Sequence, residues 1–540
     1  MIIFQGIKFR QLFISLTLLI TFLLSVDYVR TDFRWHLYGK YTDNSAHTLT
    51  SAKIWYDEGP INVKFASILS HKSIQYKNHD SNVHTRHIGR LTYPTKIGEH
   101  LREVYISYPT GYIMPLYILS IIRGQPPTDK DVYSLNKFLS LVLFATLFLI
   151  LITLTNRSYL FAASVAISSF ISIGFIYFYQ IFLSYNSLGV IYFSLFLYLR
   201  LLGKKPLSCL VLLIGLLTDY LFFFVVIYQI IANFIKEKKI SADTALIVVI
   251  SVFSGVLFFY QLYSLNLLDN ILWKAQFRLG LVDAVSSGGE QVSDISNMNI
   301  FKFVLFYGFN TFKVVGPMII AFPVFFVLLI MKSTKKEINF ILLATIPPVL
   351  YTFALRTSSM HEYEVLKFIP AATIIFGLTA KLFWNKRYIL VSVIFLVNLL
   401  NTYYFLPEYK LTEKFYTQSN FKDSQQRHDY NLFIRDNTTH NDLIFSIEDD
   451  VEIWNGRLVF NLAPYMWWRD YPYRQRNLNR AVNLNSVLMR IKEFNVQAEK
   501  FLIIIPLKEK NSDLRLKSLD VVAETAYHQI LDIKPLLTNF

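Results

Sequence analysis

From residue 9 onward the chain alternates long apolar runs with short polar joints. About eleven runs reach or approach the length needed to cross a bilayer, at 9–26, 133–154, 159–178, 185–201, 206–219, 220–235, 243–262, 313–331, 338–354, 366–383 and 388–405. The fifth and sixth meet at "GLLTDYLFFF", which reads as two half-length helices joined at Asp219 or as one long helix. Two breaks in the pattern stand out. Residues 27–132 separate the first run from the second, and residues 263–312 hold "SSGGEQVSD". After residue 405 the period changes. "DLIFSIED", "RLVFNLAPY" and "FLIIIP" read as strands, and "DSQQRHDYNLFIRDN" and "NSVLMRIKEF" as helices, so residues 406–540 are expected to form a small α/β domain. No internal repeat or low-complexity tract appears.

Composition fixes the class that the pattern suggests. The chain of 540 residues is 53% hydrophobic and only 17% charged, against roughly 25% charged in soluble domains. An α-helical polytopic membrane protein is expected. The net charge of +15 then speaks of orientation in a bilayer, and no nucleic-acid partner is expected. The basic groups are Lys8 and Arg10, Arg157, Arg200 with Lys204 and Lys205, "KEKK" at 236–239, "KSTKK" at 332–336 and "NKR" at 385–387. Counting the fifth and sixth runs separately puts all of them on one side, which predicts a cytoplasmic N-terminus and an extracytoplasmic C-terminus. "IKFRQLFISLTLLITFLLSV" has two cations before an apolar stretch and no small-residue cleavage site, so it reads as a retained signal anchor. The single cysteine, Cys209, excludes an internal disulfide framework. A composition heavy in Ile, Phe, Asn and Lys points to a bacterial inner membrane.

The side opposite the basic groups receives the residues that look chemical. In "YTDNSAHTLTSAKIWYDEGP", Asp43 stands where an N-cap carboxylate would start an amphipathic helix, and Gly59 and Pro60 stop it. Asp57 and Glu58 read as a solvated or interfacial end of that helix. His47 lies one turn after Asp43 on the same face. Asp219 is an acid at a membrane boundary, costly unless it faces a polar cavity. Arg356, His361 and Glu362 fall in the short turn "RTSSMHEYE", where a guanidinium fork suits a phosphate. Seven of the eleven histidines lie between residues 36 and 100. "HDSNVHTRH" lacks the spacing and supporting acids of a zinc enzyme, so these read as scattered loop histidines.

"TDNSAHTLTSAKIWYDEGP", "YPTGYIMPLYILSIIRG" and "DVYSLNKFLSLVLFATLFLILITL" together resemble the opening of type C (GT-C) glycosyltransferases, the group of protein mannosyltransferases and lipid A aminoarabinose transferases. By motif the resemblance covers roughly residues 10–155, and beyond them it rests on hydropathy and topology. "YNLFIRDNTTHNDLIFSIED" also resembles the start of the soluble domain that some members carry. The resemblance implies a transmembrane domain over residues 1–405 with a first extracytoplasmic loop at 27–132, and an extracytoplasmic α/β domain at 406–540. It also implies inverting transfer of a sugar from a polyprenyl-phosphate donor to a glycan, lipid or protein acceptor among membrane lipids.

Asp43 matches the acidic residue that serves as general base, while His47, Asp219, Arg356, His361 and Glu362 are the candidates for binding substrate and phosphate. Many members carry a second acid where this chain has Asn44, which leaves a divalent metal at the motif open. Two alternatives remain, a flippase or transporter for lipid-linked glycans and a glycan polymerase or ligase. The long segment 27–132, the C-terminal tail and the absence of matching halves favour the transferase.

Overall fold

The computed structural model describes residues 2–31, 42–68, 93–98, 100–106, 108–156, 158–238, 241–278, 300–356, 359 and 361–409. Toward the C-terminus it describes 429, 432–434, 436–439, 442–447, 453–454, 457–458, 477–481, 484–493, 499–507 and 514–537. "HDSNVHTRH", "SSGGEQVSD", Arg157 and most of "RLVFNLAPY" lie outside the described residues.

The apolar runs form helices, and shorter or more polar helices lie between them. They are α1 (Ile2–Arg30), α2 (Thr42–Glu58), α3 (Met114–Arg123), α4 (Asp129–Leu154), α5 (Tyr159–Phe170), α6 (Tyr179–Ile181), α7 (Tyr185–Leu201), α8 (Lys205–Leu216), α9 (Leu221–Glu237), α10 (Ala242–Ser264), α11 (Leu268–Arg278), α12 (Ile300–Val315), α13 (Met318–Lys332), α14 (Lys335–Ala354), α15 (Ile369–Leu382) and α16 (Arg387–Phe405). Six helices among the described residues are long and apolar enough to cross a membrane, or seven if the bent pair α12–α13 counts as one. Their outer faces stay greasy: Val249, Val252, Phe253, Val256 and Tyr260 of α10 are all more than half exposed. Such a surface suits lipid rather than water.

Several expected spans are interrupted. The run read as 313–331 belongs to two helices bent by 96°, because Gly316 takes φ +114° and Pro317 follows it. The run at 159–178 gives way to a π-helical turn, Gly174–Phe178. Arg30 at the end of α1 donates there to the Phe175 carbonyl at 2.5 Å and the Ile176 carbonyl at 3.2 Å. The runs meeting at Asp219 are two helices, α8 and α9, with Asp219 in the turn between them. The run read as starting at 366 is preceded by a 3₁₀-helix, Glu362–Phe368.

Ion pairs fix the levels of the bundle. Arg200 at the end of α7 pairs with Asp243 at the start of α10 at 2.7 Å, and Lys381 near the end of α15 pairs with Glu337 in the first turn of α14 at 3.0 Å. Lys381 also donates to the Leu154 carbonyl at the end of α4. Asn186, Tyr351 and Lys367, fourteen positions along from Arg200, Glu337 and Lys381, therefore lie about 20 Å away at the opposite end.

Between α2 and α3 a three-stranded sheet has the order β1 (Ser67–Ile68), β3 (His100–Tyr105), β2 (Tyr93–Ile97). Beyond α16 lie β4 (Leu443–Ile447), the short antiparallel pair β5 (Ile453–Trp454) and β6 (Arg457–Leu458), β7 (Asn477–Ala481), helix α17 (Leu484–Glu493), β8 (Phe501–Pro506), β9 (Val521–Glu524) and β10 (His528–Asp532). The five-stranded sheet has the order β7-β4-β8-β10-β9. Strand β4 is parallel to β7 and β8, and β10 is antiparallel to β8 and β9. The near-continuous apolar run of β8 suits a strand buried on both faces.

Candidate active site

The 3₁₀-helix Glu362–Phe368 leads straight into α15, where Pro370 fits the first turn. Side chains three apart eclipse in a 3₁₀-helix, so Glu364 and Lys367 meet on one edge. Lys367 Nζ contacts a Glu364 carboxylate oxygen and the Asn186 side-chain carbonyl, and lies 3.2 Å from Asp219 Oδ2. The Tyr351 hydroxyl donates to Glu364 Oε2 at 2.9 Å, and the Tyr108 hydroxyl donates to Oε1 at 3.1 Å. Asn186 Nδ2 reaches the same oxygen at 3.3 Å, and the ammonium stands 4.1 Å from the Tyr351 ring centre.

Asp219 and Glu364 have no solvent exposure and Lys367 has 1%. Charges so placed cost several kcal/mol each unless paired and hydrogen-bonded, and here five separate parts of the chain supply the partners. Asp219 Oδ1 accepts from Leu221 N at 2.7 Å, which fixes the α8–α9 turn. Gly189 makes room for it, since a Cβ there would stand 2.8 Å from Asp219 Oδ2.

The segment between the first two spans is locked onto this end of the bundle. Leu183 N donates to Ser45 Oγ and Thr48 Oγ1 donates to Leu183 O, both at 2.7 Å, so α2 is pinned at its start to the corner three residues before Asn186. The Tyr185 ring between them stacks on Tyr108. Gly111 N donates to Leu217 O at 2.8 Å, a contact that a Cβ at Gly111 would block at 2.4 Å. The far end of α2 is held by Trp55, which donates to the Ala66 carbonyl, and by Glu58, which Arg102 grips through both oxygens at 2.8–2.9 Å. Glu58 is therefore a structural ion-pair partner rather than the end of a solvated helix.

The predicted residues fall into three places. Asp43 lies in the first turn of α2, because the helix begins at Thr42, rather than at the N-cap. An acid in the first turn still favours the free N–H groups there. Its side chain lies outside the described residues. His47 is buried two residues past Ser45, its ring 5.5 Å from that of Tyr105. Asp219 belongs to the buried cluster. Arg356 lies over the Phe303 ring at 5.1 Å, His361 stacks on Tyr363, and Glu362 pairs with Lys313 at 3.2 Å and accepts from the Tyr409 hydroxyl at 2.9 Å.

Sequence reading missed Glu364, Lys367, Asn186, Tyr108 and Tyr351. The available signal was an acid and a lysine three apart in "EYEVLKF", at the entry of an apolar run. Among the described residues no group of three or more His, Cys, Asp or Glu could hold a metal ion. Lys367 already takes the place between Asp219 and Glu364 that a cation would need.

No protein-family model matches the chain, and no curated protein matches it in sequence. Solved structures do match. The apo aminoarabinose transferase ArnT from Cupriavidus metallidurans superposes with a TM-score of 0.52 and 11% identity, over 97% of this chain and 98% of that one. ArnT bound to undecaprenyl phosphate gives 0.53 and 10% identity, over 96% and 97%. The apo oligosaccharyltransferase of Archaeoglobus fulgidus gives 0.49 and 10% identity, over 93% of this chain and 70% of that one. The ArnT match runs almost end to end, and it shows that the chain shares the fold of ArnT.

Proposed function

We propose that the chain is a polyprenyl-phosphate-sugar-dependent glycosyltransferase. It transfers one sugar, with inversion, to a glycan, lipid or protein acceptor on the extracytoplasmic face of a bacterial inner membrane. The observation that carries this reading is the corner at Leu183–Asn186. There the start of the acid-bearing helix α2 docks beside the buried Glu364–Lys367–Asp219 cluster, at one end of a membrane bundle. The likeness in fold to a structure holding undecaprenyl phosphate adds to it.

Sidedness follows from charge. Lys204, Lys205 and the basic groups at 236–239, 332–336 and 385–387 adjoin the helix ends that carry Arg200 and Lys381, the end remote from the cluster. The positive-inside rule makes that end cytoplasmic. In this reading the chain crosses the membrane eleven times, with α8 and α9 as separate short crossings, and residues 406–540 form an external domain. A lipid phosphate at the outer boundary keeps its tail among lipids while its sugar meets the corner.

Asp43 is the general base. It takes the acceptor hydroxyl proton as the anomeric carbon–phosphate bond breaks and the new glycosidic bond forms, and the electron pair leaves on polyprenyl phosphate. His47 orients the carboxylate or touches phosphate, Asp219 sets the floor of the site, and Arg356, His361 and Glu362 border the donor headgroup. A divalent metal remains an open addition at the Asp43 motif, with no step assigned to it.

Deletion of the gene tests the reading in cells. Polyprenyl-phosphate sugar should accumulate, and one surface glycan, glycolipid or glycoprotein should lose one residue. Reporter fusions at residues 204 and 335 should report cytoplasm and a fusion at 420 the exterior. An unchanged lipid-linked pool, or a cytoplasmic signal at 420, contradicts it.

A further inference from the structure

The 3₁₀-helix that carries Glu364 and Lys367 is held at a second point, which the buried cluster does not explain. Two residues before Glu364, Glu362 accepts from the Tyr409 hydroxyl at 2.9 Å and pairs with Lys313 at 3.2 Å. Lys313, 4% exposed at the end of α12, also pairs with Glu408 at 2.5 Å, and its ammonium lies 5.0 Å from the Tyr409 ring centre. Its backbone is fixed as well, because Asn401 of α16 donates to the Lys313 carbonyl at 3.2 Å. Tyr409 is fully buried against Tyr177 and Phe178 of the π-helical turn. The lock therefore joins the end of the last span, the end of α12 and the π-turn to one carboxylate on the short helix.

A seven-residue 3₁₀-helix is a poor rigid body by itself, with eclipsed side chains and weak hydrogen-bond geometry. Gripping Glu362 fixes its rotation, and rotation decides whether Glu364 and Lys367 face Asn186, Asp219, Tyr108 and Tyr351. We propose that Lys313 and Tyr409 are positioning residues for the transfer reaction: acting through Glu362, they set the register of Glu364 and Lys367. They thereby make the root of the C-terminal extension, which continues from residue 410, part of the site's alignment. This inference rests on the transferase reading above.

The test uses the full-length protein in nanodiscs, with Lys313→Met, Tyr409→Phe and Lys313→Arg, and measures transfer kinetics with a polyprenyl-phosphate sugar and hydrogen exchange over residues 362–368. Lys313→Met and Tyr409→Phe should each lower kcat about tenfold, with KM for the donor unchanged within about twofold. Exchange at the 364–368 amides should rise about tenfold in both, the neutral change Tyr409→Phe should leave the melting temperature close to that of the parent, and Lys313→Arg should keep both readouts at the parent level. Unchanged exchange overturns the proposal. So does a loss of activity in Tyr409→Phe that merely tracks a lower melting temperature. If the parent protein turns over no lipid-linked sugar, the functional reading fails by itself, and the exchange measurement still decides whether the lock holds the short helix.

Discussion

In the helical bundle, Glu364 binds Tyr108 across 256 residues of sequence and Asn186 across 178, and all of these groups are buried. The C-terminal sheet has a core of Leu, Ile, Phe and Val. Asp442, its one buried charged residue among those described, accepts locally through Oδ2 from Thr439 N three residues away. The sheet uses an acid as a turn cap, whereas the bundle spends several kcal/mol of desolvation to bring distant charges together. In a lipid-facing body apolar contact with the surroundings costs nothing, so a polar interior is what specifies how the helices fit. The polar corner at Leu183–Asn186 follows from that difference, and it is where chemistry is expected.

The comparison breaks most sharply at Asp43. Asp43→Asn removes only the favourable charge of an acid in the first turn, worth about 0.3–1 kcal/mol, and should lower transfer about 10²–10⁴-fold with little change in melting temperature. Asp57→Asn, on the exposed face of the same helix, should have little effect. Equal activity in the two variants would leave the acid at the helix start with a structural role only.

Removing one charge from the cluster should cost stability next. Lys367→Met leaves Asp219 and Glu364 buried without a cation and should destabilise the bundle by about 3–5 kcal/mol, read by denaturation in detergent. Adding Asp219→Asn and Glu364→Gln should recover most of the loss. No recovery in the triple variant would mean that the ion pairs are not what Lys367 contributes.

A smaller effect is expected at Gly189. Its alanine variant places a Cβ 2.8 Å from Asp219 Oδ2 and 2.9 Å from Asp219 Cβ, which should cost about 1–3 kcal/mol. Gly255→Ala, with nothing within 4 Å, is the control and should be neutral or mildly stabilising.

The smallest effect belongs to the sheet. Burial lowers the His528 pKa from 6.5 to about 4. Above about pH 6.5 the residue is neutral whether folded or unfolded and contributes no pH dependence. Below it the unfolded chain binds a proton that the fold refuses, so sheet stability falls as pH drops from about 6.5 to 4. Hydrogen exchange in β8 and β10 should accelerate over that window, and His528→Gln should flatten the change.

The apolar runs were legible because a span needs no partner to be recognised, and the sheet strands around Leu443–Ile447 and Phe501–Pro506 for a similar reason. The 96° bend after Val315 and the π-turn at Gly174–Phe178 were not, since packing selects among conformations that the run itself permits. Asp43 and Asp219 could be picked out as acids in unusual places. Glu364 and Lys367 read as the polar fringe of a span, because their partners Asn186, Asp219 and Tyr108 are more than a hundred residues away in sequence. Glu362 stood out just as clearly and belongs to the neighbouring lock, an outcome that only the pairing with Lys313 and Tyr409 reveals.

The central claim is transfer from a lipid phosphate at the outer end of the bundle, and donor turnover by the purified protein tests it most directly. Given a radiolabelled polyprenyl-phosphate hexose or pentose and an acceptor extract from its own membrane, the protein should release free polyprenyl phosphate and label the acceptor. Asp43→Asn should do neither. Turnover of a nucleotide sugar in the absence of any lipid carrier would contradict the donor, the sidedness and the role of the corner together.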